Sequence, residues 1–166
     1  MKKVLISFVS LLICAFTAVQ AQVGFAKNKL YNVIPAEKVQ NALGYKQGSS
    51  DIILLRLNVE NKMQQWTVSN LSSSFRFINP FDNKAIYART DNSLGITENN
   101  GSDESQLWTI RQKDKFLQIF PTNSPDLILS CDSEGKLRLV DKRKYENSTE
   151  TLFAIRISKM AMPEDI

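Results

Sequence analysis

Four acids stand close enough in the chain to suggest paired-carboxylate chemistry: Asp103 beside Glu104, and Asp132 two positions before Glu134. Two carboxyls facing each other across a cleft can share the general-acid and general-base work of glycoside hydrolysis. Here each pair sits within a single polar stretch, the pattern of a solvated loop. The chain contains no histidine, which excludes Ser-His-Asp and Cys-His catalysis and removes the commonest ligand of transition metals. Of the two cysteines, Cys131 follows the apolar run Leu127-Ile128-Leu129-Ser130. That is the setting of a buried, inert thiol rather than of a nucleophile. The expectation is a protein that binds and does not catalyse, with no cofactor and no metal site.

The ends and the charge set the compartment and narrow the partners. Lys2 and Lys3 precede an apolar run from Val4 to Phe16 and the small-residue stretch Thr17-Ala18-Val19-Gln20-Ala21. This order predicts a secretory signal peptide over residues 1–21. The run is shorter than the roughly 20 residues of a membrane span, so no span is expected once the leader is cleaved. The protein is expected to be exported, to the periplasm, the cell surface or the medium, and the short lysine-led leader suggests a bacterial source. Losing the two leader lysines brings the formal net charge of +4 close to neutral. There is then no electrostatic case for nucleic acid. The basic run Lys142-Arg143-Lys144 is flanked by acids on both sides and is expected to be a solvated loop. With a single cysteine left after cleavage, packing rather than a disulfide must hold the fold.

The elements that carry these residues are repeated. Gln64-Gln65-Trp66-Thr67-Val68, Gln106-Leu107-Trp108-Thr109-Ile110 and Thr151-Leu152-Phe153-Ala154-Ile155 share one order: polar, spacer, large aromatic, small, β-branched. Trp66 and Trp108 are 42 positions apart and Phe153 follows 45 later. Three short apolar runs precede each aromatic. In the middle unit they are Phe75-Arg76-Phe77-Ile78, Ala85-Ile86-Tyr87-Ala88 and Leu94-Gly95-Ile96, separated by clusters such as Asn79-Pro80-Phe81-Asp82-Asn83 that favour turns. Such self-similarity at a fixed period governs the reading of the whole chain. It predicts an all-β domain over residues 22–166, with twelve strands in three four-stranded repeats at about 28–69, 70–112 and 113–157. A short tail follows, and closure into a barrel removes exposed strand edges.

Repeats that end in this way resemble the ricin-type β-trefoil family, whose units close on Gln-x-Trp. The resemblance covers about residues 28–157 and implies a β-trefoil. Thr151 and Phe153 depart from the motif in the third unit. In members that bind galactose-like sugars, an aspartate near the end of the second strand takes the sugar hydroxyls. An aromatic on the third strand stacks on the ring, and an asparagine before the motif glutamine completes the site. On this chain the first position falls on Gly44, on Tyr87, and on Leu129 or Ser130. The second falls near Leu54, Ile96 and Leu139, and the third on Met63, Ser105 and Glu150. None of the three units keeps the standard set.

The resemblance therefore implies a carbohydrate-binding module with a non-standard site. The alternative is a protein-interaction domain, an adhesin component or an inhibitor, that binds no sugar. Tyr87 is the first candidate ligand residue, because it stands at the former aspartate position and offers a ring and a hydroxyl. Asp82 and Asn83 in the preceding turn could join it, and Asp132 could act from a shifted register in the third unit. Trp66, Trp108 and Phe153 are expected to form the core, with Gln64 and Gln106 bracing a loop through backbone hydrogen bonds.

Overall fold

The computed structural model describes residues 23–163. The expected signal segment and the last three residues of the tail lie outside the described residues. Twelve strands follow one another: β1 Tyr31–Pro35, β2 Asn41–Gly44, β3 Ile53–Arg56, β4 Thr67–Leu71, β5 Ser74–Asn79, β6 Lys84–Ala88, β7 Leu94–Glu98, β8 Trp108–Lys113, β9 Phe116–Pro121, β10 Leu127–Cys131, β11 Leu137–Asp141 and β12 Phe153–Ile157. The fourfold pattern in each unit is the one the alternating runs predict. One departure is the basic run: Lys142–Tyr145 forms a single helical turn, α1, capped by the Asp141 side chain on the Arg143 amide.

Six strands close a barrel. Antiparallel ladders join β4 to β5, β8 to β9 and β12 to β1. Between these ladders the strands splay and touch at one residue pair each: Phe75 with Trp108, Leu117 with Phe153, and Tyr31 with Trp66. The last contact shuts the ring, with the Tyr31 amide donating to the Trp66 carbonyl at 2.8 Å and the Trp66 amide to the Tyr31 carbonyl at 3.0 Å. The remaining strands pair as three hairpins, β2–β3, β6–β7 and β10–β11.

The same three motif aromatics fill the centre. Trp66, Trp108 and Phe153 are among the largest fully buried side chains. Each indole N–H reaches a backbone carbonyl, Trp66 that of Leu43 at 3.2 Å and Trp108 that of Ile86 at 3.1 Å, as a buried tryptophan requires. The motif glutamines are buried as well. Gln64 donates to the Arg56 carbonyl at 2.8 Å and accepts from the Asn58 amide at 2.9 Å. Gln106 repeats this on the Glu98 carbonyl and the Asn100 amide, at 2.9 and 3.0 Å. Each side chain thus ties down the loop before the fourth strand.

The third repeat closes that loop with other residues. Thr151 donates to the Ser148 carbonyl at 2.8 Å, and Gln118 on β9 donates to the Glu146 carbonyl at 2.7 Å and to the Thr151 hydroxyl at 3.2 Å. Gln118 stands where β1 and β5 carry Asn32 and Arg76, which reach the Gln64 and Gly101 carbonyls.

Candidate functional site

Strand register fixes the equivalences that the sequence left open. Leu43 pairs with Leu54, Ile86 with Ile96 and Leu129 with Leu139. The former aspartate position is the next residue in each case: Gly44, Tyr87 and Ser130.

In the first repeat this position has no room for a ligand group. A Cβ on Gly44 would come 2.8 Å from the Met63 carbonyl oxygen and 2.9 Å from the Gln64 side chain. In the second repeat the Tyr87 ring packs against Gly95, where a Cβ would fall 2.3 Å from the ring. Arg89 fastens the phenol from outside, its Nε donating to the Tyr87 hydroxyl at 3.1 Å. The same guanidinium binds Asp51 at 2.6 Å and the Ser50 carbonyl. Tyr87 is half-buried and braced by an ion pair that comes from the first repeat.

The third repeat keeps a polar pair. The Ser130 hydroxyl donates to Glu150 Oε2 at 3.4 Å, so the strand-two position and the pre-motif position meet. Relative to the family pattern the acid has changed places, with serine on the strand and carboxylate on the turn. Around this pair the Thr149 hydroxyl donates to Glu37, and Lys38 Nζ donates to the Ser133 carbonyl at 2.7 Å. The β1–β2 loop of the first repeat therefore borders the site. Beneath it Cys131 is buried, and burial pushes its thiol up to about 11; Lys38 pulls the other way, and Asp132, Glu150 and Glu37 add smaller upward contributions. Burial thus favours the neutral thiol at neutral pH.

The residues singled out from the sequence do not gather in one place. Tyr87 pairs with Gly95 at one end of the β6–β7 ladder, and Lys84 pairs with Glu98 at the other. Asp82 and Asn83 precede Lys84, so the strand separates them from Tyr87. Asp82 accepts the Tyr45 hydroxyl at 2.8 Å, and burial together with that carboxylate pushes the Tyr45 phenol far up. Asn83 takes a left-handed backbone (φ 55°), its carbonyl accepting from the Asn99 amide at 2.9 Å. Asp132 sits beside the third-repeat pair but organises a turn: Oδ1 accepts the Lys136 amide at 2.9 Å and the Glu134 amide at 3.1 Å. These bonds, the first above all, hold its carboxyl below the usual range. Asp103 likewise caps a turn, accepting from the Ser105 amide and hydroxyl.

Glu150 is the residue that reasoning on strand positions passed over. Its signal was its place immediately before Thr151, where the family carries an asparagine. Among the described residues no cluster of histidine, cysteine and acid side chains could hold a metal ion, and no helix is long and apolar enough to cross a membrane.

Comparison with known proteins separates sequence from fold. No family model matches the chain. No curated protein matches its sequence. Solved structures match it closely in shape. A structure described as the BEL β-trefoil superposes with a TM-score of 0.70 at 10% identity, over 84% of this chain and 99% of that one. A lectin from Polyporus squamosus, bound to the epitope Neu5Acα2-6Galβ1-4GlcNAc, gives 0.65 at 15% identity, over 81% of this chain and 50% of the lectin. A GlcNAcα1-4Gal-releasing endo-β-galactosidase from Clostridium perfringens gives 0.69 at 10% identity, over 79% of this chain and 33% of the enzyme. The chain thus spans a third of that enzyme and half of that lectin. Identities this low speak for the fold alone, and with the closed six-strand barrel and the three hairpins they show that this chain is a β-trefoil.

Proposed function

We propose that the protein is an exported, non-catalytic carbohydrate-binding module whose ligand site lies in the third repeat, between β10 and the turn Thr149–Thr151. The observation that carries this reading is the Ser130–Glu150 contact. A carboxylate accepts two ligand hydroxyls, and the buried Ser130 hydroxyl stands 3.4 Å from this one. The equivalent positions in the other repeats are blocked by backbone or filled by a braced tyrosine, so one site per chain is expected. Asp103 and Asp132, one acid from each of the two candidate carboxylate pairs, are engaged in turns, which favours binding over hydrolysis. The Polyporus squamosus lectin is a precedent for glycan binding on this architecture.

The test is a broad glycan panel on wild-type protein and on Glu150→Gln, with circular dichroism as the control on folding. Wild-type protein is expected to bind at least one oligosaccharide class. The variant is expected to lose about tenfold or more in affinity, the worth of one hydrogen bond to a charged group. Silence of the wild-type protein across the panel would sink the reading and leave protein interaction as its successor. Export is tested independently by N-terminal sequencing of protein recovered outside the cytoplasm, which is expected to begin at Gln22.

A further inference from the structure

The three hairpins that cap the barrel do not meet symmetrically. The loop of the first bonds to the third strand of the second repeat, the Ile96 amide donating to the Ser50 carbonyl at 2.9 Å. The loop of the second bonds to the third strand of the third repeat, the Leu139 amide donating to the Asn92 carbonyl at 2.7 Å. Leu54 holds the same register position in the first repeat. Among the described residues no backbone bond joins its amide to the Asp132–Lys136 turn of the third repeat.

Instead Gly135, at φ +86°, lies against Leu54. A Cβ there would stand 3.4 Å from a Leu54 methyl and 3.7 Å from Lys38. At this open junction the surface sinks into a groove of 330 Å³ lined by all three repeats. The loops also differ in length. Residues 45–52 connect β2 to β3, whereas residues 89–93 and 132–136 suffice for the other two hairpins. The longer loop runs alongside β7, pairing Asp51 with Gly95, and leaves the axial space beside Leu54 unfilled.

We infer that this open junction is a second ligand groove, distinct from the Ser130–Glu150 site, and that it takes one hydroxyl-rich ring of pyranose size. Its floor is aliphatic, from the buried Ile52, Leu94 and Leu137. The rim supplies both hydrogen-bonding roles. Asp51 engages Arg89 through Oδ1 and presents an exposed carboxylate, Lys136 is exposed, and the Leu54 amide is a donor without the partner its counterparts have. A wholly apolar guest would leave these polar groups desolvated and unpaired, which is costly. A small anion would face the Asp51 carboxylate. A sugar ring offers hydroxyls that donate and accept at its edge and an apolar C–H face for the floor. The volume lies at the lower end of the roughly 300–1,000 Å³ of small-molecule sites.

This inference rests on the carbohydrate-binding reading but concerns another surface, so one experiment separates the two. Uniformly ¹⁵N-labelled protein is titrated with methyl β-galactoside, N-acetylglucosamine and glucuronate. Amides of Leu54, Gly135 and Lys136 report the groove, and those of Ser130 and Glu150 the third-repeat site. The expected result is saturable shifts in the groove set with at least one sugar, weakened about tenfold in Asp51→Asn or Lys136→Glu and unchanged in Glu150→Gln. Both groove substitutions are at exposed side chains and leave the core intact. Shifts confined to Ser130 and Glu150 overturn the inference and leave the function standing. Shifts in the groove set alone, insensitive to Glu150→Gln, support the inference and move the function to the groove. Absence of shifts at both sets overturns the two together.

Discussion

In the first two repeats a buried glutamine closes the loop before the fourth strand and an indole N–H ties the barrel to the second strand. The third repeat reaches the same closure with Thr151, Gln118 and a helical turn, and Phe153 fills the centre without donating a bond. The difference shows which part of the motif the fold requires. A large apolar ring at the centre is common to all three, whereas the polar closure can be rebuilt from neighbouring residues. The repeat that departs from the motif is also the one that keeps a part-buried carboxylate, Glu150, beside a buried hydroxyl, Ser130. In the regular repeats the corresponding places hold Gly44 with Met63, and Tyr87 with Ser105.

The strongest way to break this comparison is to empty the centre. Trp66→Ala, Trp108→Ala and Phe153→Ala are each expected to lose about 3–5 kcal/mol in urea denaturation. Equal losses would show that the third repeat carries a full share of the core. A sharper version is Trp66→Phe and Trp108→Phe, which impose the third repeat's residue on the others. Each is expected to cost about 1–3 kcal/mol, since a buried carbonyl, of Leu43 or Ile86, loses its donor. If both prove neutral, the indole bonds contribute nothing and the repeats do not differ in this respect.

The next effect concerns the loop closure. Gln64→Ala and Gln106→Ala each take the partner from one part-buried carbonyl and one part-buried amide, at a cost of about 1–3 kcal/mol. Thr151→Val should cost less, about 1 kcal/mol, because Gln118 still reaches the Glu146 carbonyl. A Thr151→Val loss as large as that of Gln64→Ala would mean that the rebuilt closure is no more redundant than the original.

The fold was legible in the sequence because it is written three times. Alternating apolar runs, turn clusters and an aromatic at nearly constant spacing each constrain the same twelve strands, and the structure has them. The site was less legible because its contacts cross between segments. Ser130 meets Glu150 only through the register of β10 and the path of α1, neither of which a residue pattern encodes. Asp82 reads as a turn residue near Tyr87, yet its carboxylate is engaged by Tyr45 from the first repeat. Loop length between β2 and β3 can be counted in the sequence, but not the direction in which the longer loop turns.

The last effect, confined to alkaline pH, tests the burial of the third repeat beneath its candidate site. The residue after the former aspartate position is Tyr45, Ala88 or Cys131, so the second repeat has nothing to titrate there. Burial raises the Cys131 thiol from its ordinary 9.0 to about 11. Below about pH 9 the thiol is neutral in both folded and unfolded chains, and its contribution to stability is complete. As pH rises toward 11 the unfolded chain releases this proton first, so the folded state loses ground. The stability advantage of wild-type protein over Cys131→Ala should therefore be constant up to about pH 9 and shrink between about pH 9 and 11. Ala88→Cys, placing a thiol in the less buried second-repeat position, should give a weaker dependence. An advantage that stays constant to pH 11 would mean that water reaches the thiol and that the floor under Ser130 and Glu150 is open.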